Sequence, residues 1–446
     1  MTGTARAESV QPTRYPLRPA VDGDVAPEQI LRAVPGTEAA EPPTDGVAAA
    51  ALAARLWRLD GTADLAAFHR AVAGHRISSP EPKARAVTGP DVTLLHHVET
   101  AGLWVPPVAA RLAGLTPALA EGWLVLAAHW ARPHLRQGDP RYLNAACKLL
   151  GGVWLRRTEA SGPERESWDV PRLAGLLRLA ARLVRDGSAQ LAARLDRRSV
   201  SAAAAGAPDL GVPTVPTSAS ARIVVVARRG SGGARRFLGA AASAGLPVAA
   251  VCWYEATIPG TALDSGYAQA WYPPEPPDDP APATAPPAAT ECDAVDFDEL
   301  ADVLRRHRAD LVVLLGMPVV PMRVLANVRL GAINAHNGAL PDYRGMDAVG
   351  WALLNNDPVV CTVHRVRSSA DTGEIIASVP VAPEPAPTLR ARVKAAQVAL
   401  LLAAAAHVAR HGELPDTTPQ PAAGGTRYYR LHPHLKRLLD ASLYAA

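Results

Sequence analysis

From residue 222 onward, near-continuous β-branched runs alternate with helical stretches, and that alternation limits the possible fold more than any other feature of the chain. "RIVVVAR" (222–228), "LPVAAVCW" (246–253), "DLVVLL" (310–315), "AINAH" (332–336) and "CTVHRV" (361–366) read as strands, with helices expected near 233–245, 297–308 and 346–356. Strands apolar on both faces need a covering layer on each side, so the spacing predicts a parallel sheet wrapped by helices. The Pro-rich stretch "WYPPEPPDDPAPATAPPAATECD" (271–293) reads as a loop within that domain.

The 446-residue chain is too long for one ordinary core. Residues 1–46 lack a sustained period and read as a disordered segment, 47–198 as an all-helical domain, and 199–220, rich in Ala, Pro and Ser, as a linker. The remainder, 221–446, holds the alternating pattern, and the linker lets the two domains fold independently. In "TPALAEGWLVLAAHW", Thr116 can cap a helix, and Leu119, Trp123, Leu126 and Trp130 form one stripe. In the next helix Leu143, Ala146, Cys147, Leu150 and Trp154 form another. Both stripes read as core, with ligand binding by the tryptophans as the alternative.

Only four of the 46 basic residues are lysine (Lys83, Lys148, Lys394 and Lys436), a skew that fits coding bias better than a nucleic-acid patch. Cys147, Cys252, Cys292 and Cys361 are scattered without a C-x-x-C pair, which points away from a zinc site or a disulfide framework. The N-terminal stretch lacks the apolar core of a signal peptide. The most apolar helix, "VKAAQVALLLAAAAHVA" (393–409), is shorter than a span, so no membrane passage and a cytoplasmic location are expected.

"RRGSGGARR" follows the first strand, but Arg235 stands where a dinucleotide fingerprint needs glycine, so it reads as a glycine-rich turn. "INAHNGALPDYRG" (333–345) is more informative. Asn334 and His336, two apart, share one side of a strand at its carboxyl end, where open α/β sheets bind ligands. Downstream, "CTVHRVRSSADTGEII" adds His364 on another strand and Asp371 in the loop after it. A metal site of His336, His364 and Asp371 is the competing reading; bracing of the loop is the preferred role for His364.

The order Asn-x-His, Leu-Pro, Arg-Gly, Thr-Val-His and Asp-Thr-Gly resembles the 10-formyltetrahydrofolate-dependent formyltransferases over roughly 221–432. The resemblance implies an α/β Rossmann-like formyltransferase domain there, and the helical periodicity places an all-α domain before it. It implies a catalytic trio of Asn334, His336 and Asp371, with no metal. It also implies a pterin slot lined by Met317, Val319 and Val320 and by the loop of Arg367, Ser368, Ser369 and Ala370. In that reading Asp371 raises the pKa of His336, and the protonated imidazole and Asn334 donate to the formyl oxygen. One departure stands out: Gly338 occupies the position where the family usually has serine, a change expected to soften a turn.

The resemblance implies 10-formyltetrahydrofolate as formyl donor and the amine of a small molecule as acceptor: an amino sugar, an amino acid or a secondary-metabolite amine. A tRNA substrate is disfavoured, because only a helix (388–411), "QPAAGGTRYYRLHP" and a short tail follow where the tRNA-modifying branch has a β-barrel. The alternatives are hydrolysis of the formyl donor, or a docking protein whose helical domain presents a carrier-bound amine. A carrier protein or a second copy of the chain, meeting the helical domain, is the partner these readings allow.

Overall fold

The computed structural model describes residues 26–34, 95, 98–99, 115–131, 139–196, 221–228, 231–255, 288–382, 386–421 and 425–444. The expected linker 199–220 and most of the expected disordered segment and Pro-rich loop lie outside these residues. In chain order the described elements begin with helices α1 (Pro27–Ala33), α2 (Pro117–Trp130), α3 (Pro140–Glu159), α4 (Gly162–Trp168) and α5 (Pro171–Asp196). Then come β1 (Ile223–Ala227), α6 (Gly232–Ser243), β2 (Val248–Tyr254), β3 (Thr290–Ala294), α7 (Phe297–Arg306), β4 (Leu311–Leu315), α8 (Met322–Leu325) and β5 (Ala332–His336). The chain closes with β6 (Tyr343–Gly345), α9 (Ala348–Asn355), β7 (Val359–Arg365), β8 (Ile375–Val381), α10 (Ala386–His411), β9 (Thr426–Tyr428) and α11 (Pro433–Tyr444).

A seven-stranded sheet in the order β3-β2-β1-β4-β5-β7-β8 forms the centre, Rossmann-like in its first five strands. Every residue of β1 and β4 is buried, the state their β-branched runs require. The sheet is mixed, which corrects the all-parallel expectation: β7 runs antiparallel to β5, and β8 antiparallel to β7. An apolar run encodes burial and not direction, so the reversal after α9 carries no mark in the strand itself.

Caps start the covering helices where the sequence supplies them. The Asp296 carboxylate accepts from Asp298 N at 2.9 Å and Glu299 N at 2.8 Å to open α7, whose buried stripe is Leu300, Val303 and Leu304. Such a cap is worth about 1 kcal/mol. Ser231 does the same for α6, accepting from Ala234 N at 3.3 Å. Helix α10 is longer than expected at 26 residues, and its stretch Ala391–His411 is long and apolar enough to cross a membrane by length and composition. Its apolar side instead packs on β5, β7 and β8, with Leu400, Leu401, Ala405 and Val408 buried.

The N-terminal helices form their own layer, α2 and α3 against α5, with α1 also on α5. Trp123, Leu126, Trp130, Leu143, Ala146, Cys147, Leu150 and Trp154 are all buried, so the stripes are core. Asp139 caps α3, accepting from Arg141 N at 2.9 Å. This layer is not separate from the sheet domain. Helix α11 packs on both α5 and α9, and Leu431, Leu435 and Leu439 belong to the same apolar core as the N-terminal helices. Buried polar contacts fix the junction: Asn144 Nδ2 donates to the Arg430 carbonyl at 3.2 Å, and His432 N donates to Asn144 Oδ1 at 2.6 Å. Beside them Lys148 and Glu99 form a buried ion pair at 2.5 Å.

The four cysteines are free, and the fold brings two of them together: Cys252 on β2 lies directly opposite Cys292 on β3.

Candidate active site

Strand β5 ends in Asn334-Ala335-His336, and its antiparallel pairing with β7 sets Asn334 opposite His364 and His336 opposite Thr362. After β7 the chain turns back through Asp371, which adopts the left-handed conformation at φ 58°. That turn brings the carboxylate between two imidazoles: His336 Nδ1 lies 3.5 Å from Oδ2, and His364 Nε2 lies 3.4 Å from Oδ1.

Each ring has already committed one N–H. His336 Nε2 donates to the Tyr343 carbonyl at 2.6 Å and His364 Nδ1 to the Arg365 carbonyl at 2.8 Å, since a carbonyl can only accept. The remaining ring nitrogens face Asp371 at distances beyond the 2.7–3.2 Å of an ordinary N–H···O bond. His336 Nδ1 and His364 Nε2 thus face one carboxylate from opposite sides, each across a gap slightly longer than an ordinary hydrogen bond.

The electrostatics agree. Burial pushes the His336 pKa below its ordinary value, and the attraction of Asp371 and the Tyr343 carbonyl does not make up the difference. Asp371 does act upward, as expected, but with His336 only 6% exposed the desolvation outweighs it. For Asp371, burial acts upward, but His364, His336 and the Gly345 N–H outweigh it and hold the carboxyl below the usual range. The Gly345 N–H donates to Asp371 Oδ2 at 2.9 Å.

The Tyr343–Gly345 strand is itself held from below. It pairs in parallel with β9, and a Cβ on Gly345, at φ 94°, would overlap the Tyr428 carbonyl. The Tyr343 and Tyr428 rings stack with centroids 5.0 Å apart, and the Arg141 guanidinium of α3 lies over Tyr428 at 5.9 Å. Gly338 has a sharper role than a softened turn. A Cβ there would sit 2.7 Å from His336 Nε2, 2.5 Å from the Tyr343 carbonyl and 2.8 Å from Ala348 Cβ. The missing side chain is what lets His336 reach Tyr343.

Of the expected folate contacts, Val319 is 51% exposed and Met317 is half-buried on the loop after β4, while Val320 is fully buried in the core with Val324 and Leu325. Arg367 to Ala370 form the loop between β7 and Asp371, with Ser368 and Ser369 exposed and Arg367 paired to Glu374. Among the described residues no cluster of three or more His, Cys, Asp or Glu is arranged to hold a metal ion.

Residues 274–405 match the family model described as formyl transferase, a stretch that includes Asn334, His336 and Asp371. This segment resembles the formyl transferase family. Similar curated proteins are the methionyl-tRNA formyltransferase of Chlorobium chlorochromatii, 33% identical over 87 residues (19% of this chain and 28% of that one), and that of Parabacteroides distasonis, 38% identical over 74 residues (16% and 23%). The chain thus spans about a quarter of the length of these relatives. Similar solved structures are phosphoribosylglycinamide formyltransferase from Bacillus halodurans (TM-score 0.32, 23% identity, 43% of this chain and 97% of that one) and a 4-N formyltransferase from Francisella tularensis (0.33, 16%, 50% and 86%). The curated relatives correct the expectation that set tRNA aside, since their named activity is on methionyl-tRNA.

Proposed function

We propose that the chain is an N-formyltransferase that moves a formyl group from 10-formyltetrahydrofolate to an amine. The observation that carries this reading is Asp371 set between two imidazoles at the carboxyl end of β5, the strand that carries Asn334 two residues before His336. The donor fits the surroundings. Val319 and Met322 leave apolar surface uncovered on the segment after β4, as a flat pterin requires.

When bound, the folate supplies the formyl group. As the amine nitrogen bonds to the formyl carbon, an electron pair moves onto the formyl oxygen, and the Asn334 amide is the donor suited to receive it. Such a donor is worth about 3–4 kcal/mol in comparable acyl transfers. The amine becomes acidic as it attacks, and its proton passes to the gap between His336 Nδ1 and Asp371. The Tyr343 carbonyl, by holding Nε2–H, keeps Nδ1 bare to accept it. The resulting imidazolium, stabilised by the carboxylate beside it, would return the proton to the donor nitrogen as the bond from the formyl carbon to that nitrogen breaks, so that tetrahydrofolate leaves.

Within amines, a small molecule such as an amino sugar or amino acid is the acceptor suggested by the sequence, and the relatives add methionyl-tRNA to the set to be tried. The test is incubation of the protein with 10-formyltetrahydrofolate and each acceptor, with tetrahydrofolate followed by absorbance and products by mass spectrometry. A formylated amine supports the proposal. Formate alone identifies a hydrolase, and neither product identifies a binding protein.

A further inference from the structure

We infer that Gln420 is a positioning residue that sets Asp371 between the two histidines; this rests on the proton-transfer reading above. A non-glycine residue in the left-handed region persists only where its surroundings enforce it. Asp371 is such a residue, at φ 58°. The Gly345 N–H holds the carboxylate, but a second anchor holds the turn that projects it. Gln420 Nε2 donates to the Asp371 carbonyl at 3.0 Å and to the Gly373 carbonyl at 2.6 Å, spanning the turn like a staple.

The staple is fixed at its other end. Gln420 Oε1 accepts from Arg344 Nη2 at 2.7 Å and Nε at 3.1 Å, which forces the amide to aim its NH₂ at the two carbonyls. Two residues earlier, Thr418 exchanges both backbone hydrogen bonds with Ile375, at 2.7 and 2.8 Å, so the strap after α10 is tied to β8. Across the turn, Gly373 lies directly against β7, where a Cβ would overlap the Arg365 carbonyl. The turn is thus gripped between β7 and Gln420. Gln420 reaches the reacting atoms only through Asp371, and it opens the "QPAAGGTRYYRLHP" stretch, for which the sequence suggested no role at the site.

The experiment uses the full-length chain with Gln420→Met, of similar length but without polar atoms, and Gln420→Glu, which keeps a partner for Arg344 but cannot donate to either carbonyl when ionised. Both should lower kcat for formyl transfer between about ten- and a hundredfold, the scale of a misplaced catalytic group, with KM for the formyl donor unchanged. In histidine-labelled protein the ring nitrogen signals of His336 and His364 should move in both variants, because the carboxylate they face has moved. Unmoved ring signals overturn the inference, whatever happens to melting temperature or rate. Failure of both variants to fold overturns it as well, since Gln420 would then be a structural residue. Wild-type protein that neither transfers nor releases formyl sinks the proposed function instead, and the ring signals still report on the staple.

Discussion

His336 Nδ1 and Asp371 Oδ2 stand 3.5 Å apart while the other nitrogen of the same ring donates to the Tyr343 carbonyl at 2.6 Å. The short bond points away from the carboxylate, and the long gap is the place where a proton fits. If that gap receives the amine proton, removing either side of it should stop transfer without emptying the folate slot. His336→Ala and Asp371→Asn are each expected to lower kcat by at least about 100-fold, with folate affinity retained in equilibrium binding. Both variants keeping more than about a tenth of wild-type turnover would remove the roles assigned to them.

The pH dependence has a definite sign. A base must be unprotonated, and burial holds the His336 pKa below its ordinary 6.5, so turnover should stay level through neutrality and fall only on acidification below that value. Rate profiles with one acceptor of known amine pKa test this, and an acid limb centred above 6.5 contradicts a neutral His336. Stability moves the same way. His336, His432 and His434 all have lowered pKa values from burial, so the unfolded chain binds more protons than the native one between those values and 6.5. Each contributes up to about 1.4 kcal/mol of lost stability per pH unit across that window. Buried Glu99, whose pKa is raised from 4.5, acts in the opposite sense at pH values above 4.5, so the fall reflects the three histidines outweighing one carboxyl. Melting temperature should therefore fall from pH 7 toward pH 5.

Gly338 offers a test of the packing behind the catalytic ring. Gly338→Ser puts a Cβ 2.5 Å from the Tyr343 carbonyl and 2.7 Å from His336 Nε2, so one of them must yield. Overpacking of this kind costs about 1–3 kcal/mol. The expected result is a lower melting temperature together with a fall in kcat, because the displaced partner is the bond that sets the His336 tautomer. A variant as stable and as active as wild type would show that the ring does not need Tyr343.

The catalytic candidates were legible because their signal is local: Asn334 and His336 alternate on one strand, and Asp371 follows His364 in one short loop. What the sequence did not reveal depends on pairings between distant residues. Gly345 meets Tyr428 across β6 and β9, and Gln420 meets Asp371 from a strap after α10, and no spacing within either stretch announces the encounter. Gly338 looked like a lost hydroxyl until the Tyr343 carbonyl was seen behind it. The antiparallel edge of the sheet was hidden for another reason, since the residues of β7 encode its burial and not its direction. The upward pull of Asp371 on His336 could be read from sequence, whereas the desolvation that outweighs it requires the packed structure.

The stretch around His432 carried no assigned role in the sequence, yet it packs against the N-terminal helices. A chain starting at residue 215 leaves Leu431, Leu435 and Leu439, now at most 5% exposed, without the N-terminal helices they pack beside. Uncovering a side chain of this size costs about 1.5–3 kcal/mol. It also strips His432 N of Asn144 Oδ1 at 2.6 Å and His434 Nε2 of Ser188 Oγ at 2.8 Å, and removes Arg141 from the face of Tyr428. Tyr428 pairs with Gly345, whose N–H holds Asp371, so the loss runs on to the site. The shortened chain is expected to aggregate or melt well below the full-length protein, and any soluble fraction should lose kcat more than substrate affinity. Independent folding with unchanged turnover and a raised KM for the amine would make the N-terminal helices a substrate-selecting attachment instead of part of the scaffold that holds the catalytic residues.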